Sequence, residues 1–196
     1  MIKKVRILTG VLLLCVAAAA AWFSLPDVEA ASASSSDFQM KGDTLVKYTG
    51  TASAVSIPTS VKHIGKEAFL GHTELVKVEI PGYVEDIDYN AFSGCTSLER
   101  ISIPDTVTAI GNGAFSGCSN LKSVKLGKKV RKLGTGVFAD CHMLSSMSIS
   151  IYNEDLSYED GVVYSKDKTI VYAMLPGYDG AVYRMPSTLK TIKNNA

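Results

Sequence analysis

The sequence predicts a β-rich solenoid, short strands stacked coil upon coil into a parallel sheet along one face, and three features of the chain predict it. A block of twenty-three residues recurs without gain or loss, opened in turn by Val55, Val78, Ile101, Val124 and Met147. Around each opening residue apolar and polar side chains alternate, and Ile57-Pro58, Ile80-Pro81 and Ile103-Pro104 follow at a fixed offset. Period-two alternation closed by a residue that has no N–H to give to a ladder is the pattern of a short strand. Two more columns keep phase: Ala68-Phe69, Ala91-Phe92, Ala114-Phe115 and Val137-Phe138, and then His72, Cys95, Cys118 and Cys141. A fixed period between about 20 and 50 residues marks units that cannot bury an apolar face alone and cover one another's instead.

Residues 1–30 precede this pattern and differ from it. Lys3, Lys4 and Arg6 are followed by an uncharged run from Ile7 to Phe23, and Val28-Glu29-Ala30 offers small residues ahead of Ala31. This is the layout of a secretory signal peptide. An uncleaved anchor is the rival reading, because the run approaches the ~18 residues that cross a bilayer. Either places the repeats outside the cell, secreted or on the surface. Cys15 follows Leu12-Leu13-Leu14 within the apolar run, which does not suit lipidation.

Residues 31–36 form an Ala/Ser linker, flexible by composition. Residues 37–50 read as a hairpin, Phe38 to Lys41 and Thr44 to Tyr48 about Gly42-Asp43, placed to cap the first coil. The solenoid is assigned to residues 51–196. Within one repeat, 98–120, the inward positions are Leu98, Ile101, Ile103, Val107, Ile110, Ala114, Phe115 and Cys118, and a short turn of helix is expected to carry Ala114-Phe115. Successive copies would stack at about 4.8 Å, with Phe69, Phe92, Phe115 and Phe138 in one column. Between Met147 and Met185 the period is broken by what counts as fifteen extra residues, and an insertion over about 151–182 is expected to hold a second hairpin, 161–164 with 169–172. Met185-Pro186, Leu189 and Ile192 restore the pattern, and the chain reads as ending inside a repeat.

Three of the 20 basic and two of the 19 acidic side chains lie in residues 1–30, leaving 17 of each. Phosphate-binding surfaces carry an excess of Lys and Arg, so nucleic acid is not an expected partner. The three core cysteines repeat in phase and point one way, so all three cannot pair, and free buried thiols are expected over a bridge. No C-x-x-C pair, G-x-S-x-G, H-E-x-x-H or Walker glycine loop is present. His63, His72 and His142 each sit beside a core position with no nucleophile in pattern. No catalytic residue, metal ligand or cofactor is expected, and the chain is not read as an enzyme.

The pattern L-x-x-V-x-I-P-x-x-V-x-x-I-G-x-x-A-F-x-G-C, followed almost position for position by Leu98 to Cys118, resembles the bacterial leucine-rich repeats of the BspA or Treponema pallidum type. The resemblance covers residues 38–196, with departures at Gly127 and Ser150 for proline, Val137 for alanine and Asp88 for glycine. It implies a right-handed leucine-rich repeat superhelix with short strands and 3-10 or helical turns on the wall opposite the sheet, together with the hairpin cap and hairpin insertion. It also implies binding through the outward, concave face of that sheet. The candidates there are Lys77, Glu79, Arg100, Ser102, Lys125 and Arg184, although solubilising charges would occupy the same positions. Tyr152, Tyr158, Tyr164, Tyr172, Tyr178 and Tyr183 form a second cluster, for which packing of the insertion is the plainer use.

The expected function is a non-enzymatic extracellular or cell-surface module that binds host or bacterial proteins, in the manner of an adhesin. It has no membrane insertion once the signal is removed, and its oligomeric state is left open. Two alternatives stand beside it: a spacer that displays a downstream domain, and the repeat part of a larger extracellular hydrolase. The spacer has area on its side. Five coils at about 4.8 Å, each with about four outward residues near 3.3 Å, offer roughly 300 Å² against about 800 Å² per partner in a standard interface.

Overall fold

A computed structural model describes residues 33–176 and 183–196 of the 196-residue chain. The predicted signal segment and Tyr178 lie outside the described residues.

A single 3-10 turn, Ser35–Asp37, opens the described chain, closed by a capping box between Ser34 and Asp37. The hairpin follows, β1 (Phe38–Lys41) paired antiparallel with β2 (Thr44–Tyr48) around Gly42-Asp43. The coils then alternate between two walls: β3 (Ala54–Ser56) and β4 (His63–Ile64), β5 (Lys77–Glu79) and β6 (Asp86–Ile87), β7 (Arg100–Ser102) and β8 (Ala109–Ile110), β9 (Ser123–Leu126) and β10 (Lys132–Leu133). The fifth coil brings β11 (Ser146–Ile149), after which come β12 (Leu156–Glu159), β13 (Val162–Ser165), β14 (Ile170–Met174) and β15 (Thr191–Ile192).

Strands β3, β5, β7, β9 and β11 form one parallel sheet, the front wall. The back wall is β2, β4, β6, β8 and β10, also parallel, with β1 added at its edge. Register follows the repeat without slip: Ala54 lies beside Lys77, Lys77 beside Arg100, Arg100 beside Ser123 and Ser123 beside Ser146. A one-residue slip would carry Val55, Val78, Ile101, Val124 and Met147, all buried, to the solvent side. The hydrophobic effect therefore sets the register, at roughly 1.5–3 kcal/mol for each large side chain buried.

The segment that joins the walls differs from expectation. No helix carries Ala-Phe; residues 65–72 and their equivalents are a run of turns. The reason lies in their N–H groups. Glu67, Phe69 and Gly71 donate to the carbonyls of Tyr89, Ala91 and Ser93 in the next coil, while Ala68, Leu70 and His72 close turns on residues three back. The same alternation recurs in Asn90 to Cys95 and Gly113 to Cys118. An α-helix would take every N–H for its own axis and leave the coils unjoined there. Left-handed residues start and end each run, Glu67, Asn90, Gly113 and Gly136 on one side and Gly71, Gly94, Gly117 and Asp140 on the other.

The insertion also carries one strand more than expected. β12 pairs antiparallel with β13 and β13 with β14, so the insertion is a three-stranded meander, and β14 then pairs parallel with β15. Leu156–Glu159 has only two apolar residues in four and gave no strand signal; cross-strand pairing supplies it. Asn195 repeats the left-handed conformation of Gly136, and the Gly136 N–H donates to Asn194 as Gly113 does to Thr135, so these turns stack directly although fifty-nine residues separate Gly136 from Asn195 where one period is twenty-three.

Candidate binding surfaces

Strand pairing sets the outward columns of the front wall. Lys77 and Arg100 are neighbours in one column, with Ser123 and Ser146 beyond; Ser56 and Glu79 stand together in the next, as do Ser102, Lys125 and Ser148. Five of the six residues singled out in the sequence therefore share one face. Arg184 does not join them: it is exposed in an irregular segment after β14, outside every sheet, because the meander has displaced the fifth coil's return.

The face is partly self-neutralised. Lys77 Nζ lies 2.9 Å from Glu79 Oε1, and the Ser56 hydroxyl donates to the other carboxylate oxygen at 2.8 Å. The Lys77 bond first, then the Ser56 bond, hold the Glu79 carboxyl below its usual range. Below this row Lys122 meets Glu99 at 2.8 Å. Ile151 and Tyr152, in the turn after β11, are 87% and 74% exposed. Of the tyrosine cluster, Tyr164 is buried and Tyr158, Tyr172 and Tyr183 are half-buried, so only Tyr152 is largely exposed among the described members.

The residues most tempting as chemistry have structural work. Cys95, Cys118 and Cys141 are free and buried, and each thiol donates to a phenylalanine carbonyl of the preceding coil, Phe69, Phe92 and Phe115, at 3.1–3.2 Å. Burial pushes Cys95 and Cys141 up to about 12 and raises Cys118 as well, the opposite of what a nucleophile needs. His72 heads the same column: its Nε2–H donates to the Tyr48 carbonyl at 3.0 Å, and Nδ1 lies 2.9 Å from Glu74. His63 Nδ1 is 2.5 Å from Asp86 on the back wall, and that bond first of all raises the His63 pKa against the effect of partial burial. Among the described residues no three His, Cys, Asp or Glu side chains gather closely enough to hold a metal ion. No described helix is long and apolar enough to cross a membrane.

These coils are similar to known ones. A sequence profile of the BspA type leucine rich repeat region matches residues 42–159 in six copies. The pneumococcal vaccine antigen PcpA superposes with a TM-score of 0.54 at 26% identity, over 72% of this chain and 41% of that one. A leucine rich repeat protein of T. pallidum does so with a TM-score of 0.50 at 26% identity, over 60% and 71%. A leucine-rich repeat protein from Eubacterium ventriosum, at 22% identity and a TM-score of 0.60 over 76% and 49%, shares the fold. The chain thus spans less than half the length of PcpA and of the E. ventriosum protein. No curated protein matches it. With six profile matches over more than half its length, on coils built as described, the chain belongs to the BspA-type leucine-rich repeat proteins.

Proposed function

We propose that the protein is an extracellular or cell-surface module that binds host or bacterial proteins, without catalysis of its own, through the front wall. BspA-type repeats form a protein-interaction module, and the observation that carries the finer reading is the front wall itself. Its register gathers Lys77, Glu79, Arg100, Ser102 and Lys125 on one unbroken surface backed by a stiff core. Likeness to a pneumococcal vaccine antigen supports a location open to the outside. Arg100 and Lys125 carry the net charge of the central strands, and Tyr152, exposed in the turn after β11, supplies an aromatic anchor. Arg and Tyr are the residue types that dominate interface energetics.

The test is an array of extracellular matrix, plasma and bacterial surface proteins probed with the chain and with a variant carrying Arg100→Glu, Lys125→Glu and Tyr152→Ala. The reading expects at least one ligand whose binding weakens by about 10-fold or more in the variant. Equal binding by both proteins to every ligand retained would sink it. The spacer reading keeps its support from the small area of the face; it expects no ligand at all for these coils.

A further inference from the structure

The overall charge balance hides a segregation along the solenoid axis. Residues 75–97 carry Lys77 against Glu79, Glu85, Asp86 and Asp88, and residues 98–120 carry Arg100 against Glu99 and Asp105. Residues 121–143 then carry Lys122, Lys125, Lys128, Lys129, Arg131 and Lys132 against Asp140 alone. All six are exposed. Net charge therefore excluded too much: a near-neutral chain holds a cationic band one coil wide. In the preceding coil Glu99 pairs with Lys122, and Asp105 accepts the Lys128 backbone N–H at 2.9 Å.

We propose that this band, on the fourth coil, binds a linear anionic polysaccharide. Its path comes first. Lys122 and Lys125 stand on the front wall, Lys128 and Lys129 on the turn after β9, and Arg131 and Lys132 at β10 on the back wall, so the charges bend around the edge of the solenoid. A duplex with a persistence length of about 150 base pairs cannot follow that corner, and a flat membrane meets one side of it only. Single-stranded nucleic acid is held by successive bases stacked on several aromatics, whereas residues 121–137 contain none and the hollow at the back end of the band is lined by one, Tyr172. Five of the six cations are lysines. Protein interfaces are depleted in lysine and favour Arg and aromatics, whereas lysine meets sulfate, phosphate or carboxylate as a point charge from any direction.

A second observation extends the band. At its back end it opens into a hollow of about 700 Å³, with Arg131, Lys132 and Lys193 along one side, Tyr172 as an aromatic wall and Asn112 and Thr135 as neutral polar groups. Asp86 and Asp88 line the far side, and Asp86 is already engaged by His63. Uncharged donors beside an aromatic face suit a sugar ring better than a run of carboxylate side chains. Ala109, small where its column neighbours are Asp86 and Lys132, belongs to the same lining.

This inference stands apart from the front-wall reading, since only Lys125 is shared, and its test leaves Lys125 in place. Fluorescently labelled heparin, polygalacturonate and phosphomannan are titrated with the full chain, with a Lys128→Gln, Lys129→Gln, Arg131→Gln, Lys132→Gln variant, and with a Lys62→Gln, Lys66→Gln control on the first coil. The chain is expected to bind at least one of the three, which tells sulfate, carboxylate and phosphate sources apart. The fourfold variant should lose about 10-fold or more, and its log–log salt slope should fall by up to about one per cation removed. The control should stay within about twofold. Should the fourfold variant lose its circular-dichroism signal, Lys128→Gln with Lys129→Gln alone serves, with a smaller loss expected. No binding to any of the three, an equal loss in the control, or an oligoglutamate of matched charge or duplex DNA binding as tightly would overturn the proposal.

Discussion

Asn153 is a buried polar residue, 2% exposed, with every hydrogen-bonding capacity of its amide in use. Its Nδ2 donates to the carbonyls of Gly127 and Val130 at 3.1 and 2.9 Å, and its Oδ1 accepts from Asp155 and Leu156 at 3.0 and 2.8 Å. One side chain thus ties the start of the meander to the turn between β9 and β10. Asn153→Ala strips partners from four backbone groups, three of them in buried bonds, and is expected to cost about 2–4 kcal/mol, read as a lower urea midpoint with early amide exchange in β12. Glu67 illustrates the reverse case: at φ 58° it occupies a left-handed corner that Gly113 and Gly136 fill in later coils. Glu67→Gly should stabilise by roughly 0.5–1 kcal/mol; a lower melting temperature would contradict that. His63, with its folded pKa raised by the Asp86 bond, contributes stability that is complete below its unfolded value and fades as pH rises through the folded one. His63→Gln should therefore narrow the gap in urea midpoint between pH 5 and pH 8, modestly because both side chains are over a third exposed.

At the scale of elements, the aromatic column is the clearest unit. Tyr48, Phe69, Phe92, Phe115 and Phe138 stack with centroid spacings of 5.1, 4.8, 5.3 and 5.9 Å, so the hairpin cap contributes its own ring to a column of phenylalanines. Phe92→Ala removes the central ring between two coils and should cost about 3–5 kcal/mol, measured by denaturant unfolding. The cysteine ladder beside it is expected to resist modification. With Cys95 and Cys141 raised to about 12, about one thiol in ten thousand is ionised at pH 8. Iodoacetamide should label the core thiols only after unfolding; rapid native labelling of Cys118 would be inconsistent with this packing. The four phenylalanines and the thiols were legible in the sequence because a buried column demands one residue type at one offset. Tyr48 was not, since it lies in the hairpin at a spacing outside the period.

For the whole molecule, stability is close to a sum over coils and their neighbours. Among the described residues, the chain's most exposed apolar positions after the meander are Met185 and Ile192, at 59% and 52%, and β15, unlike β4, β6 and β8, has no buried residue. Amides of residues 185–196 should exchange well ahead of those in β5 to β10; equal protection would show that the fifth coil is stiffer than its contacts imply. The interior columns take up the three described cysteines and four phenylalanines, and His72 heads one of them, which leaves the surface for the binding proposed above. The front columns were readable from the alternation around Val78 and Ile101, but the placement of Arg184 was not, because the meander of β12 to β14 decides where the chain returns.

Periodicity alone determined the coil, its core columns, the front-wall register and the family resemblance, since a repeat that buries one face must stack on its own kind. Only the tertiary structure decided the rest. It turned the expected helical turn into a ladder-bonded run because the next coil claims its N–H groups, and it made β12 a strand because β13 lies beside it. It also wrapped six scattered cations into one band around the fourth coil. Charge is local in space, and proximity across a turn is set by the fold and not by a sum along the chain.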